Sequence, residues 1–463
     1  MTSPRPTVAI VGGGMAGLSA AHALRDRADV VVLEASGRVG GKVRASEVGG
    51  VSVDEGADSL LRRVPYGLEL AAAAGLGDEL VSPTAGGAFV RSRGRLRPLP
   101  TGTILGVPGD LTSLARSEVL STLGLARVPG DLVARGELMT KDVSVGALVA
   151  SRLGREVVER LVDPLLGGVY AGRADSLSLH ATLPQLRGPL SRNRSLILAT
   201  REARAGFGRV DGPVFAGLPG GLGRLPAAVA RASGARIRTG TMVRTLERTP
   251  TGWRLTTGSA AQPSYLEVTA VILAVPAGPA ARLLRDVAPT AAGELSGIDY
   301  ASVAIVTLVL DGPAPGQGSG YLVPAVEGLS TKAVTFTSRK WGSPGPAVVR
   351  ASVGRYGDEV ELQRDDGELA ALVLRELELV VGPVGPVIDS RVTRWGGGLP
   401  QYAVGHLDRV RRITSALPAG LAVAGAAYGG IGVPAVIRSG AEAAAAVLPH
   451  NGPHDRPRVR DQA

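Results

Sequence analysis

Three glycines near the start of the chain are spaced for phosphate chemistry. Gly12-Gly13-Gly14-Met15-Ala16-Gly17 is a G-x-G-x-x-G string, and Glu34 stands 22 residues beyond its first glycine. Gly12 permits a tight turn, Gly14 lets backbone approach a pyrophosphate, and Gly17 lets a helix pack closely on a strand. An acid at the distance of Glu34 can accept both hydroxyls of a ribose and disfavours a 2′-phosphate. This chemistry needs a strand, a helix and a second strand to hold it. Thr7–Val11 and Val30–Leu33 are short apolar runs suited to buried strands, and Leu18–Arg27 has helical spacing. The N-terminus of that helix would offer free N–H groups and the positive end of its dipole. The pattern predicts a dinucleotide-binding unit. A ligand-free glycine turn is the bland alternative, and the strand–helix–strand–acid context argues against it.

The next residues ask for a longer dinucleotide. Arg38 follows Glu34 by four positions, and Gly40-Gly41-Lys42 follows it. This adds a cation and a second glycine turn near the pyrophosphate. After the strand-like Val51-Ser52-Val53 comes Asp54-Glu55-Gly56-Ala57-Asp58-Ser59, where Gly56 would let backbone approach a flat ring. Taken singly, Arg38 and Lys42 also read as solvated surface cations.

Further elements return the chain to this unit. Ala235–Arg238, Thr241–Glu247, Trp253–Thr256 and Val271–Val275 are strand-like and suit a meander that would present Met242 and Val243 to an adenine. Near the other end, a strand over Gly420–Ala424 leads through a glycine-rich turn into a helix from Val433 to Val447, with Pro434 in its first turn. Helical periodicity is read in Gly67–Ala74, Val143–Leu153, Arg155–Leu161 and Asp366–Val381, and strands in Val303–Leu310 and Ala347–Val353. The expected organisation is a discontinuous dinucleotide domain from 1–65, 216–280 and 390–449. A mainly helical domain covers 66–215, a mixed α/β substrate domain 281–389, and a disordered tail 450–463.

Composition removes other classes. The 463 residues contain no cysteine, which excludes disulfides, thiolate zinc, iron–sulfur clusters and cysteinyl-linked flavin. His22, His180, His406, His450 and His454 are scattered, so no metal site is expected. A net charge of +10 invites a nucleic-acid reading. Only 4 Phe, 8 Tyr and 3 Trp are available for base stacking, and no nucleic-acid motif stands out. Arg91, Arg93, Arg95 and Arg97 form the one tight basic cluster, either a solvated strand and turn or an electropositive lip for an anionic substrate or lipid head groups. Leu421–Ile437, the longest apolar stretch, is interrupted by glycines and a proline and does not suit a membrane span. Met1–Pro6 carries no secretory pattern. The expectation is a cytoplasmic protein with at most peripheral membrane contact and no nucleic-acid partner.

The chain resembles the porphyrinogen oxidases of haem synthesis, within the FAD-dependent amine-oxidase superfamily. The resemblance spans nearly all of it. Its specific carriers are Asp163-Pro164-Leu165-Leu166-Gly167-Gly168-Val169-Tyr170-Ala171-Gly172, Leu218-Pro219-Gly220-Gly221-Leu222, Trp395 with Pro400-Gln401-Tyr402-x-x-Gly405-His406, and Ala424-Gly425-Ala426-Ala427-Tyr428-Gly429-Gly430-Ile431-Gly432-Val433-Pro434. The resemblance implies an α/β fold with α+β insertions: a Rossmann-like FAD domain of the amine-oxidase/p-hydroxybenzoate-hydroxylase type, a mixed substrate domain and a helical domain. It implies non-covalent FAD held by Gly12, Gly13, Gly14, Met15, Ala16, Gly17, Glu34, Ala35, Arg38, Gly41, Lys42, Gly56, Ala57, Asp58, Ser59, Val243, Trp395, Gly425, Tyr428, Ile431, Gly432 and Val433. For Tyr428 a packed core tyrosine is the alternative.

The resemblance further implies hydride removal from a porphyrinogen to the flavin and reoxidation by O₂ to H₂O₂, in three rounds. No protein group is assigned as catalytic, because the flavin carries the redox chemistry; His406 is expected to be structural. Coproporphyrinogen III is favoured over protoporphyrinogen IX. Pro83-Thr84-Ala85 is followed by Gly86-Gly87-Ala88 rather than by the arginine of the plant and animal protoporphyrinogen enzymes, whereas Arg62 and Arg63 follow Gly56-Ala57-Asp58-Ser59, as basic residues do in the Gram-positive coproporphyrinogen oxidases. Arg62, Arg63, Gly168 and Tyr170 are the substrate candidates, with loop packing the alternative for Gly168 and Tyr170. A ferrochelatase is the expected downstream partner. An amine oxidase or carotenoid desaturase, and a non-catalytic flavin- and porphyrin-binding protein, are the rival readings.

Overall fold

Five parallel strands form the sheet that carries the first glycine turn. Their order is Arg236–Arg238, Asp29–Leu33, Thr7–Val11, Ala270–Leu273 and Leu421–Val423. The computed structural model describes residues 5–133, 137–206 and 212–448, and the 450–463 tail expected from the sequence lies outside them. Parallel strands are covered on both faces, which is why they read as near-continuous apolar runs. Val8, Ile10, Val30, Val32 and Ile272 pack on one face against the helices Met15–Leu24 and Val433–Val447. A Cβ on Gly440 would overlap the Ala16 carbonyl, so glycine there lets the two helices cross closely. Ala9, Val11, Val31, Leu33 and Leu273 pack on the other face, in a core shared with the meander Thr245–Thr249, Gly252–Gly258 and Pro263–Val268.

The first helix begins inside the glycine string and ends at Leu24, three residues earlier at each end than its spacing suggests, because Gly14 is its N-cap. The strand expected from Thr241 starts at Thr245 instead. The amides of Gly240 and Thr241 first turn back to the Ser36 and Glu34 carbonyls, at 2.8 Å each.

A second, seven-stranded sheet runs in the order Val387–Pro400, Tyr300–Leu310, Ala347–Val353, Thr331–Phe336, Gly320–Leu322, Phe89–Ser92 and Arg95–Pro98. The helix Asp366–Val381 closes one face of it through Leu369, Val373 and Leu377. The outer hairpin, Phe89–Pro98, lies within the stretch read as mainly helical. It joins the sheet through parallel pairing of Phe89 with Tyr321.

Three of the four arginines of that hairpin are engaged by acids, and Arg95 is exposed. Arg91 pairs with Glu327 at 3.4 Å and Arg97 with Glu118, and the amides of Arg93 and Gly94 donate to Glu327. The other described residues of 66–215 are largely helical, around Leu148, Val149, Leu161, Leu166 and Ile197. The helix expected over 155–161 does not stop there. It passes through one wide turn at Val158–Val162 and continues as Asp163–Tyr170, since Pro164 has no N–H for the regular ladder.

Candidate active site

The glycines of the first turn divide by what surrounds them. A Cβ on Gly12 would overlap the Ala274 carbonyl, where φ is +108°, and one on Gly17 would overlap the Gly12 carbonyl. Gly14 has no atom within 4 Å of its Cβ position. Two of the three are therefore glycine because the chain itself is there, and Gly14 is glycine beside open space. No side chain caps the helix that begins at Met15, and Ala16 and Gly17 complete its first turn. Glu34 accepts the Gly13 amide on Oε2 at 2.7 Å and the Ser36 amide on Oε1 at 2.8 Å. Each carboxylate oxygen keeps further lone-pair capacity. Ala35 is exposed beside it, and the Arg38 guanidinium donates to the Val39 and Gly41 carbonyls at 3.3 Å. Among the described residues, neither Met242 nor the half-buried Val243 uses its backbone N–H or C=O in a hydrogen bond.

The Gly56–Ser59 strip is set by contacts the sequence did not announce. A Cβ on Gly56 would overlap the Lys42 carbonyl, so the approach of two chain segments already requires this glycine. Trp395 Nε1 donates to the Glu55 carbonyl at 2.9 Å and fixes the strip from one side. From the other, Asp58 pairs with Lys340 Nζ at 2.9 Å and with Arg350 at 3.4 Å. Arg350 also donates to the Gly56 carbonyl, and the Ser59 hydroxyl to Asp58. These two cations hold the Asp58 carboxyl below its ordinary value despite burial. Half-buried Ala57 donates its amide to the Lys42 carbonyl. Lys42 is reached by solvent, yet enough protein surrounds it that its pKa is lowered, and no described residue bonds its ammonium.

The closing segment provides the second opening. Gly425, at φ +131°, also has nothing within 4 Å of its Cβ position, and its amide donates to Ser439. Gly432 caps the helix Val433–Val447 with no side-chain hydrogen bond, and half-buried Ile431 packs on the helical core. Tyr428 is buried in the core on the meander side of the parallel sheet, its hydroxyl without a hydrogen-bond partner among the described residues.

The candidate substrate residues are not equivalent. The Arg62 guanidinium donates to the Phe215 carbonyl at 3.2 Å and to Ser82 at 3.1 Å. Arg63 is exposed. Gly168 is exposed at the end of Asp163–Tyr170, and Tyr170 is buried against Tyr402, ring centroids 5.5 Å apart. His406 lies flat on Tyr402 at 4.0 Å. Burial pushes its pKa down to about 4, so the ring is neutral near pH 7.

Residues 15–448 match the family model described as flavin containing amine oxidoreductase. The chain belongs to that family. This flavin oxidoreductase is 38% identical over 448 residues to the coproporphyrinogen III oxidase of Mycobacterium tuberculosis H37Rv, covering 95% of this chain and 96% of that one. It is 31% identical over 471 residues to the coproporphyrinogen III oxidase of Bacillus subtilis, covering 97% and 99%. A solved structure titled putative protoporphyrinogen oxidase, from Exiguobacterium, superposes with a TM-score of 0.84 at 32% identity, covering 96% and 98%.

The family's flavin cofactor is FAD, and the oxidoreductase has the groups to receive it. Open space lies at both Gly14 and Gly425, the helix at Met15 is uncapped, Glu34 has spare acceptor capacity, and Met242 and Val243 leave backbone polar groups unmatched. Reading residue types missed Lys340, Arg350 and Asp142, which lie far from the strips they hold. Asp142 accepts from the Gly405 amide, the His180 amide and Ser178. Among the described residues no helix is long and apolar enough to cross a membrane.

Proposed function

We propose that this flavin oxidoreductase oxidises coproporphyrinogen III to coproporphyrin III with O₂, in haem synthesis and in the cytoplasm. The observation that carries the reading is 38% identity, sustained over 95% of the chain, to a relative named for that activity. FAD would stretch from the Gly12–Gly17 turn, with Glu34 at the ribose and Val243 at the adenine, past Lys42 and Gly56–Ser59 to the turn at Gly425–Val433. Held there, FAD would supply the two-electron redox chemistry that links the substrate to O₂, with H₂O₂ as the reduced product.

The chain's own part is to hold and shield. Lys340 and Arg350 fix the Asp58 strip, the uncapped helix termini at Met15 and Val433 offer N–H groups to anionic edges, and Trp395 keeps Glu55 and Gly56 in place. Arg63, with Gly168 and Tyr170, would face the macrocycle, and Arg62 would steady that edge through Phe215 and Ser82. The sequence segments 1–65, 216–280 and 390–449 would form the FAD-binding part. Ferrochelatase would take the product.

The test supplies the purified protein with coproporphyrinogen III and protoporphyrinogen IX side by side, following porphyrin fluorescence. The reading expects kcat/KM at least about tenfold higher for coproporphyrinogen III. A preference for protoporphyrinogen IX, or yellow protein that forms neither porphyrin, would overturn it.

A further inference from the structure

Tyr402 is 1% exposed, and each of its polar groups has a separate task. Its hydroxyl donates to the Ala426 carbonyl at 2.5 Å and accepts the Gly430 amide at 2.9 Å, so one oxygen brackets both ends of a five-residue turn. Its own carbonyl accepts the Ser178 amide at 2.7 Å. Its ring lies between His406, stacked at 4.0 Å, and Tyr170, tilted at 57°. The preceding residue extends the link, as Gln401 Nε2 donates to the Tyr170 carbonyl at 2.8 Å. A Cβ on Gly172 would overlap Gln401, so the chain after Tyr170 is shaped to receive that amide.

The bracketed turn is held from outside, where the phenol acts beside Arg438, which donates to the Gly429 carbonyl at 3.0 Å. Gly425 and Gly430 lie at φ +131° and +130°, and the helix that follows has no side-chain cap. Residues in this region of φ need outside contacts to stay in one conformation. Without the phenol, the Ala426 carbonyl and the Gly430 amide would each lose a hydrogen-bond partner, inside a low-dielectric site where such a loss is costly.

We propose that Tyr402 is a positioning residue for the flavin. Its hydroxyl fixes the Ala426–Gly430 turn against the isoalloxazine edge, and its ring and the neighbouring Gln401 couple that turn to the Gly168–Tyr170 segment. The inference rests on the proposed seat for FAD and adds a residue that would not itself touch the cofactor. His406 serves as the flat, uncharged face on which the phenol is held, which is why a histidine with no charge near pH 7 suits that position.

The test is Tyr402→Phe, which keeps the ring stack and removes one oxygen. Tyr321→Phe, in a tyrosine of similar burial packed on Phe336 in the second sheet, is the matched control. Apoprotein melting, the FAD dissociation constant and the flavin midpoint potential are measured for both. Tyr402→Phe is expected to fold, to bind FAD about tenfold more weakly and to shift the midpoint potential and flavin absorption band. The control is expected to leave FAD binding and potential unchanged. Two outcomes overturn the proposal: a Tyr402→Phe protein that matches the parent in FAD affinity and potential, and one that fails to fold, which would make the phenol part of the core alone. Parent protein that binds no FAD would instead overturn the seat on which the inference rests.

Discussion

The Gly13 amide donates to the Glu34 carboxylate at 2.7 Å, so the first glycine turn and the acid ending the second strand are one hydrogen-bonded unit. Loss of the acid therefore acts twice, on a ribose contact and on the shape of the turn. Glu34→Ala is expected to raise the FAD dissociation constant by about tenfold to a hundredfold, the worth of one or two charge-assisted hydrogen bonds. Glu34→Gln, which can still accept from Gly13, is expected to fall between. Flavin fluorescence after dialysis checks both, and a Glu34→Ala protein that stays fully yellow contradicts the assignment.

Gly14 and Gly17 separate a glycine kept for a ligand from one kept for the fold. At Gly14 φ is −73°, which any residue adopts, and no atom lies near its Cβ position. Gly14→Ala is expected to leave the apoprotein melting temperature within about 2 °C of the parent and to weaken FAD by about tenfold or more. Gly17→Ala would drive a methyl into the Gly12 carbonyl and is expected to cost the apoprotein about 1–3 kcal/mol. The two melts and two dissociation constants decide it. The opposite pattern would place the cofactor elsewhere.

Arg62 and Arg63 are each tested alone. Arg62 is occupied by Phe215 and Ser82, so Arg62→Ala is expected to lower stability by about 1 kcal/mol. Arg63→Ala is expected to raise KM for coproporphyrinogen III about three- to tenfold and KM for protoporphyrinogen IX less, since four propionates ask more of a cation than two. Equal effects on both substrates would remove Arg63 from propionate recognition.

Lys332 gives a pH dependence with a definite sign. It is 4% exposed, with its ammonium on the Gly354 carbonyl at 2.7 Å. Burial, and then Arg355, push its pKa from 10.5 down to about 7. Between those values the unfolded chain takes up a proton that the native protein does not, so stability falls as pH drops through this window and is level below it. Lys332→Met is therefore expected to be more stable than the parent at pH 7, by about 1 kcal/mol or more. The gain should shrink toward pH 10.5, leaving only the lost bond to Gly354. Urea unfolding at pH 7 and pH 10 reads the difference, and a gain independent of pH would contradict the account.

What could be read from residue types follows the range of the interactions involved. The first glycine turn was legible because its spacing is local, although only Gly17 meets a nearby carbonyl, that of Gly12, and Gly12 meets the distant Ala274. The helices Asp366–Val381 and Val433–Val447 appear with the expected bounds because local periodicity decides them, with Asp365 capping the first and Pro434 opening the second. The Asp58–Lys340 pair joins residues 282 apart, and nothing near either one announces the other. The Phe89–Pro98 hairpin joins the second sheet only by pairing with Tyr321, again with no local sign. The close approach of the Lys42 carbonyl to Gly56 was not legible, because the two segments meet only in the fold. Tyr402 was visible in its motif, but its task depends on Ala426 and Gly430 and shows only in the fold.

The most direct test of the central claim counts peroxide against porphyrin. Purified yellow protein given coproporphyrinogen III without oxygen should lose its flavin colour. Admitting air should restore the colour and yield three H₂O₂ for each coproporphyrin formed. A flavin that keeps its colour in the presence of coproporphyrinogen III, with no porphyrin produced, would contradict the account.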